Sequence, residues 1–175
     1  LSVLFLYISS AVSQYRYDAQ MVMGYWSDDR YKDPVLQFKS DSVHLDYQQL
    51  ILQNQSASCN ISDKEGNLLF YFNGCSLANA KHEIMDNGTG FNPSYKSQYD
   101  CIDDSDAYPS LEQSCLILPL DDRDSLFMLL HLTNVYYQKD SIIFYGIPRY
   151  SVVNMKANSG KGRVVLKNQI YHPDT

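Results

Sequence analysis

The chain of 175 residues carries 14 Lys and Arg against 20 Asp and Glu, and its net charge of −6 excludes a protein built to coat nucleic acid. Apolar residues make up 45% of the sequence and charged residues 19%, which is too apolar for a disordered chain and sufficient for one sizeable core. Eight acidic residues and one Arg lie between residues 99 and 124, so the negative charge is concentrated there.

The first twelve residues form an uncharged apolar run, and Ala11 and Ser13 stand at the −3 and −1 positions of a signal-peptidase site. The run is too short to span a membrane as a helix, which takes about twenty residues. The pattern predicts a partial secretory signal peptide over residues 1–13, with a buried N-terminal strand as the alternative. We therefore expect a chain that is secreted or held at the outer cell surface after cleavage, with no transmembrane segment once mature.

From residue 21 onward, runs of four to eight β-branched or aromatic residues alternate with short stretches of turn formers, which predicts an all-β fold. The candidate strands are 21–26, 35–39, 58–62, 68–73, 76–81, 115–120, 126–133, 142–147, 150–155 and 164–168. Gly66 and Asn67 predict a hairpin turn between the strands on either side, because Gly reaches positive φ easily and Asn tolerates it. Residues 86–112 are polar and are predicted to form a long loop.

One pattern occurs twice. Ser58-Cys59 precedes an acidic turn and an aromatic strand, and Ser114-Cys115 precedes the same combination at an offset of 115 − 59 = 56 residues. Units of roughly 40 to 50 residues with about four strands are typical of propeller blades. The repeat predicts blade-like units at about 57–94 and 114–170, and the alternative is a chance likeness between two hairpins. Residues 139–145 repeat the pattern in part, which predicts the next hairpin of the second unit.

In the aromatic strand of the first unit, alternate residues are expected to face opposite sides of the sheet. Leu68, Phe70 and Phe72 would share one face, and Leu69 and Tyr71 the other. Both faces are apolar, which fits a blade that is buried between two neighbours.

Several segments carry a resemblance to a known family. They are I-S-D-x-x-G-N-L-L-F-Y-x-N-G at 61–74, A-N-A-x-H-x-x-M-x-N-G at 78–88, Asn92-Pro93, QSCLILPL at 113–120, YSVVNM at 150–155 and GKGRVVLKN at 160–168. With them the chain resembles large secreted proteins of Bacteroidetes-type bacteria, from about residue 21 to its end. Asn154 and the four cysteines depart from the family pattern.

The resemblance implies a propeller-like β domain over residues 21–175 that is incomplete at its C-terminus, with about two antiparallel blades of a larger ring and long loops. It also implies a type IX secretion sorting domain at the C-terminus of the whole protein, so that the secretion machinery would be a partner. The family brings no catalytic residues to this sequence.

Cysteine usage permits disulfides but does not choose between them. Cys59, Cys75, Cys101 and Cys115 are an even number, and their spacings match no zinc-binding pattern. Three pairings are possible, and buried free thiols are the alternative.

A cluster of carboxylates at Asp103, Asp104 and Asp106 is a candidate calcium site, because carboxylates are hard oxygen ligands. The cluster lacks the Gly and Glu of an EF-hand loop, so a solvated loop is the alternative. The remaining acidic groups are expected to shape turns through their own side chains. They are Asp63, Glu65, Asp121, Asp122 and Asp124.

No catalytic constellation is evident. The histidines His44, His82, His131 and His172 form no metal-binding motif, and no Ser lies in a G-x-S-x-G turn. His82 is expected to pack or to hydrogen-bond beneath a loop. Three N-x-[ST] sequons begin at Asn54, Asn60 and Asn87. They would be glycan acceptors in a eukaryotic secretory protein and are expected to be chance matches in a bacterial protein of the kind that this chain resembles.

These observations predict an exported, non-enzymatic module with a binding, adhesion or display role and no cofactor. Its partner would be a polysaccharide or protein ligand at the cell surface. Tyrosines suited to stacking on sugars are Tyr95, Tyr99, Tyr108, Tyr136 and Tyr137. The alternative function is part of a propeller-type glycoside hydrolase or lyase that acts on polysaccharide, with carboxylates contributed by several blades.

Overall fold

The computed structural model describes residues 16–24, 32–54, 58–94, 97–103, 114–136 and 144–171. The predicted signal segment and residues 104–113 of the acidic stretch, including Asp104 and Asp106, lie outside these ranges. The strands are β1 (Gln20–Val22), β2 (Asp33–Phe38), β3 (Val43–Gln48), β4 (Cys59–Ser62), β5 (Leu68–Phe72), β6 (Leu77–Asn79), β7 (Cys115–Pro119), β8 (Leu126–Tyr136), β9 (Phe144–Asn154) and β10 (Arg163–Ile170). The helices are α1 (Ser97–Asp100) and a 3-10 turn at Asn158–Gly160.

The strands form three antiparallel sheets, and in each sheet the strands follow one another in chain order. Sheet A is β1-β2-β3, sheet B is β4-β5-β6 and sheet C is β7-β8-β9-β10. The all-β prediction is confirmed. Gly66 adopts a φ of +92° in the turn between β4 and β5, so the hairpin predicted from the sequence is also confirmed.

Two predictions of strands were wrong. The segments predicted as separate strands at 142–147 and 150–155 belong to one strand, β9, which passes through Pro148. Proline has no N–H to donate to a neighbouring strand. Its partner on β8, Leu132, directs its own N–H away from β9 to Ser114 O, so these two paired residues do not exchange hydrogen bonds and the missing N–H is not needed there. Strand β3 was missed, because it is an exposed edge strand without a buried face.

The largest core lies between sheets B and C. Its fully buried side chains include Phe70 and Phe72 of β5 and Phe127 and Leu129 of β8, and the Phe70 and Phe127 rings meet edge to face at 5.5 Å between centroids. Strands β5 and β8 supply these core residues at every second position, as the pleat of a strand requires.

A second core lies between sheets A and B. Val22 of β1 and Val35 of β2 pack there with Tyr71 of β5. Sheet B is therefore buried on both faces, as predicted, with Phe70 and Phe72 on one side and Tyr71 on the other.

The predicted sides of the first two residues of β5 were wrong. Leu68 packs with the Tyr71 cluster and Leu69 with the Phe70 cluster. A register shift lies beside the turn, where Ser62 pairs with Leu68 and Ile61 pairs with Phe70. Leu69 is the extra residue of this bulge, and a bulge breaks the alternation of faces.

The polar segment that follows β6 packs against sheets B and C at its start. Ile84 bridges to Ala78 of β6 and Asp86 bridges to Arg163 of β10, so the segment connects the outer parts of sheets B and C. Phe91 and Asn92 are buried. Residues 87–94 form no helix or strand, in agreement with the predicted loop, and the buried Phe91 anchors this stretch in the core.

One cysteine pairing is present in the structure. Cys75 and Cys101 form a disulfide with a Cα–Cα distance of 5.6 Å, while Cys59 and Cys115 are not joined in a disulfide. Among the residues described, no helix has the length and apolar character needed to cross a membrane.

Candidate functional site

The first strand of each sheet approaches the first strand of the next. Strand β1 contacts β4, and β4 contacts β7, so three short strands from different sheets lie side by side.

Asn60 joins two of these strands. The backbone N–H of Val22 donates to Asn60 Oδ1 at 2.9 Å, and Asn60 Nδ2 donates to Gln20 O at 2.8 Å. The side-chain amide thus offers β1 the same donor and acceptor that a neighbouring backbone would offer. The junction of sheets A and B depends on this one residue for two hydrogen bonds.

An open cleft of about 1160 Å³, which we call the junction cleft, lies where the first strands meet. Its walls are residues 16–21, 38–40, 59–61 and 115–119. Arg16 and Lys39 contribute two positive charges against the single carboxylate of Asp18, a local charge of 2 − 1 = +1 in a chain of −6. Phe38 is 39% exposed and gives the cleft an aromatic surface.

A second cleft of about 720 Å³ lies on the outer face of sheet C. Its floor is mostly apolar and includes Leu116, Met128, Leu130 and Tyr150. Leu116 is 51% exposed, so no described segment covers this face in the way that sheets A and C cover the two faces of sheet B.

A buried polar cluster at the end of the main core joins β8, β9 and the segment after β6. Asn92 Nδ2 donates to Gly74 O at 3.0 Å, which turns Asn92 Oδ1 toward His131. The His131 Nδ1–H donates to that oxygen at 2.6 Å, and Thr133 Oγ1 donates to it at 3.1 Å. Arg149 Nε donates to Thr133 Oγ1 at 2.8 Å and extends the network.

The other imidazole nitrogen of His131 accepts from Ser151. The Ser151 hydroxyl oxygen lies 3.0 Å from His131 Nε2 and itself accepts the Asn168 N–H at 3.0 Å. Burial and the positive charge of Arg149 lower the pKa of His131 to about 4, so the ring is neutral at pH 7.

Ser151, His131 and Asn92 have the order of a nucleophile, a base and an orienting group. All three side chains are buried, with Ser151 wholly inaccessible, and a nucleophile must reach its substrate. The rings of Phe72 and Phe91 also pack against His131 at 5.9 and 5.7 Å between centroids. We therefore assign this cluster a role in holding sheet C to the segment after β6.

His82 packs and hydrogen-bonds as predicted. Its Nδ1 lies 3.1 Å from the Tyr71 hydroxyl, which also accepts the Ile51 N–H at 3.3 Å. Burial raises the pKa of Tyr71 to about 12 and lowers the pKa of His82, so both groups are neutral at pH 7.

Two of the five predicted turn formers, Asp63 and Asp121, accept backbone N–H groups within their own turns. Asp63 Oδ1 accepts the Asn67 N–H at 2.8 Å, and Asp121 Oδ1 accepts the N–H groups of Arg123 and Ser125 at 3.1 Å each. A hydrogen bond from the Ser125 hydroxyl is the main cause that lowers the pKa of Asp121, and these backbone N–H groups lower it further.

Of the three candidate calcium ligands, only Asp103 lies within the described residues, so the calcium site stays a prediction. Asp103 is exposed beyond α1, and Asp104 and Asp106 lie outside the described ranges. No group of three His, Cys, Asp or Glu side chains within residues 16–24, 32–54, 58–94, 97–103, 114–136 and 144–171 is arranged to hold a metal ion.

The sequon asparagines and the tyrosines predicted to stack on sugars differ in how their side chains are placed. The side-chain amide nitrogens of Asn54, Asn60 and Asn87 all donate hydrogen bonds to backbone carbonyls within the fold. Of the tyrosines suited to stacking, Tyr99 is exposed, and the side chains of the others are not among those described.

Sequence reasoning missed the residues of the junction cleft. Arg16 and Lys39 lie outside any motif, and only the fold places them beside β4 and β7. The one usable signal was the repeat, since Cys59 and Cys115 occupy equivalent positions in the two units and both line this cleft.

Comparison with known proteins gives no match: no protein family, no curated protein and no solved structure shows significant similarity to this chain.

Proposed function

We propose that this chain is an exported β-propeller-like module that binds an acidic polysaccharide at the cell surface through the junction cleft, without catalysis. The observation that carries the proposal is the convergence of three first strands on one open cleft with a local charge of +1. The proposal includes secretion by a bacterium of the kind the sequence resembles.

The order of the sheets supports blade-like units. Sheets A, B and C are consecutive meanders, and sheet B packs on A through one face and on C through the other. In a propeller, each blade is a meander of this kind, and the first strands of neighbouring blades lie closest to the axis. The uncovered apolar face of sheet C is the surface on which a following blade would pack.

Export is supported by the cysteine chemistry. A disulfide such as Cys75–Cys101 persists in oxidising compartments and is rare where glutathione keeps thiols reduced. The apolar start of the sequence supports the same location.

An acidic polymer fits the cleft better than a neutral one. Arg16 and Lys39 are its cationic side chains, and Phe38 offers an aromatic face to the C–H surface of a sugar. A polymer that approaches elsewhere meets a chain of net charge −6, so electrostatics favour the cleft.

The test is isothermal titration of the full chain with polygalacturonate and with dextran as the neutral comparison. We expect binding of polygalacturonate that weakens as salt increases, and no binding of dextran. Lys39→Glu is expected to reduce the affinity at least tenfold, because it reverses a charge inside the cleft.

Lys156→Glu is the matched control, because Lys156 is exposed in the turn after β9 and its replacement changes the net charge by the same amount as Lys39→Glu. Equal losses from the two variants would show that the effect is one of net charge and would contradict the cleft as the site. Release of sugars during the titration would favour the glycoside hydrolase or lyase instead.

A further inference from the structure

We infer that Cys59 and Cys115 form a second disulfide that covalently joins sheet B to sheet C at the junction cleft. The two residues are separated by 56 positions, and each is the first residue of its strand. No bond joins them in the structure, where both are thiols.

The two thiols are already in contact. Their side chains are hydrogen-bonded to each other, and strands β4 and β7 are adjacent. Both residues pack against the core between sheets B and C. A disulfide between them would therefore join two thiols that the fold already places side by side, at equivalent positions of the two units.

An oxidant can approach the pair from solvent. Cys59 and Cys115 both line the junction cleft, and Cys115 also lines the cleft on the outer face of sheet C. The charged groups that line the junction cleft with them are Arg16, Asp18 and Lys39. Burial and the neighbouring thiol raise the pKa of Cys59 well above its ordinary value, so attack by this thiol is slow in the folded chain.

The reaction is thiol–disulfide exchange with a small disulfide such as oxidised glutathione. One cysteine thiolate attacks a sulfur of the oxidant, which forms a mixed disulfide and releases one glutathione thiol. The second cysteine thiolate then attacks the protein sulfur of the mixed disulfide, which forms the Cys59–Cys115 bond and releases the second glutathione thiol. The two cysteines lose two electrons and two protons, and the oxidant is reduced to two thiols.

The inference does not depend on ligand binding, and it is tested on the full chain refolded in a buffer of reduced and oxidised glutathione. After alkylation in denaturant and digestion without reductant, mass spectrometry is expected to find two linked peptide pairs, Cys59 with Cys115 and Cys75 with Cys101. Alkylated Cys59 and Cys115 beside an intact Cys75–Cys101 link would overturn the inference.

Two variants give an independent measure. In Cys59→Ser, one thiol is expected to become titratable in denaturant where the oxidised parent chain has none. In Cys59→Ser with Cys115→Ser, Tm is expected to fall by roughly 10 °C relative to the oxidised parent, because the cross-link restrains the unfolded chain. No free thiol in Cys59→Ser, or an unchanged Tm in the double variant, would also contradict the bond.

Discussion

His131 shows how a single side chain joins separate segments of this fold. Its ring is held between Asn92 Oδ1 and the Ser151 hydroxyl, so one residue of β8 contacts both the segment after β6 and β9. A buried polar group costs free energy unless its hydrogen bonds are made, and here each nitrogen of the ring has a partner.

The pH dependence of stability follows from this ring. The folded pKa of His131 is about 4 and the unfolded pKa is near 6.5, so the unfolded chain binds the extra proton first. The contribution of the neutral ring is complete above pH 6.5 and is lost as the pH falls from 6.5 towards 4. We expect the free energy of unfolding to drop by about 3 kcal/mol across this interval.

Urea denaturation at several pH values between 4 and 7 measures the effect. His131→Gln is expected to flatten most of the slope, with a smaller slope of the same sign left by His82, whose pKa is also lowered by burial. His44→Gln serves as the control, because His44 is exposed on β3 and its removal is expected to leave the slope in place. An unchanged slope in His131→Gln would contradict the account.

Asn60 gives a second prediction at this scale. Asn60→Ala leaves the Val22 N–H and the Gln20 carbonyl without their partner, which is expected to cost about 2 kcal/mol. Gln169→Ala, at an exposed position of β10, is the control and is expected to change stability by less than about 0.5 kcal/mol. Similar urea midpoints for both variants would contradict the role of Asn60 in stabilising the junction of sheets A and B.

At the scale of elements, sheet B is the centre of the molecule, because each of its faces supports a different core. Phe70 has no exposed surface and Leu116 on the outer face of sheet C is half exposed. The two positions therefore compare a covered sheet face with an uncovered one.

Phe70→Ala is expected to destabilise the chain by about 3–5 kcal/mol, since it removes a ring from the core between sheets B and C. Leu116→Ala is expected to cost about 1 kcal/mol or less, since half of its side chain already faces water. The check is the denaturation midpoint of each variant. A larger loss of stability in Leu116→Ala than in Phe70→Ala would contradict a main core between sheets B and C.

The strands of sheet B and most of those of sheet C could be predicted, because they combine apolar runs with turn residues such as Gly66. Strand β3 could not, since Val43, Leu45 and Tyr47 are exposed and no core sets their pattern apart. Strand β9 was predicted as two strands because it contains Pro148. A proline is tolerated within a strand only where no hydrogen bond from its backbone nitrogen is needed.

At the scale of the whole molecule, the candidate site could not be predicted. The side chains of Arg16, Lys39, Cys59 and Cys115 are far apart in the chain and meet only after sheets A, B and C have stacked. The alternation of residues along a strand gives the face of a side chain, but the packing of one sheet on another decides which faces border a cleft.

Binding at the junction cleft is the central claim, and NMR titration of the isotope-labelled full chain with polygalacturonate tests it most directly. We predict shifts of backbone amide resonances confined to residues 16–21, 38–40, 59–61 and 115–118, the parts of the chain that line the cleft. Shifts confined to the outer face of sheet C, around Leu130 and Tyr150, or no shifts at all, would contradict the account.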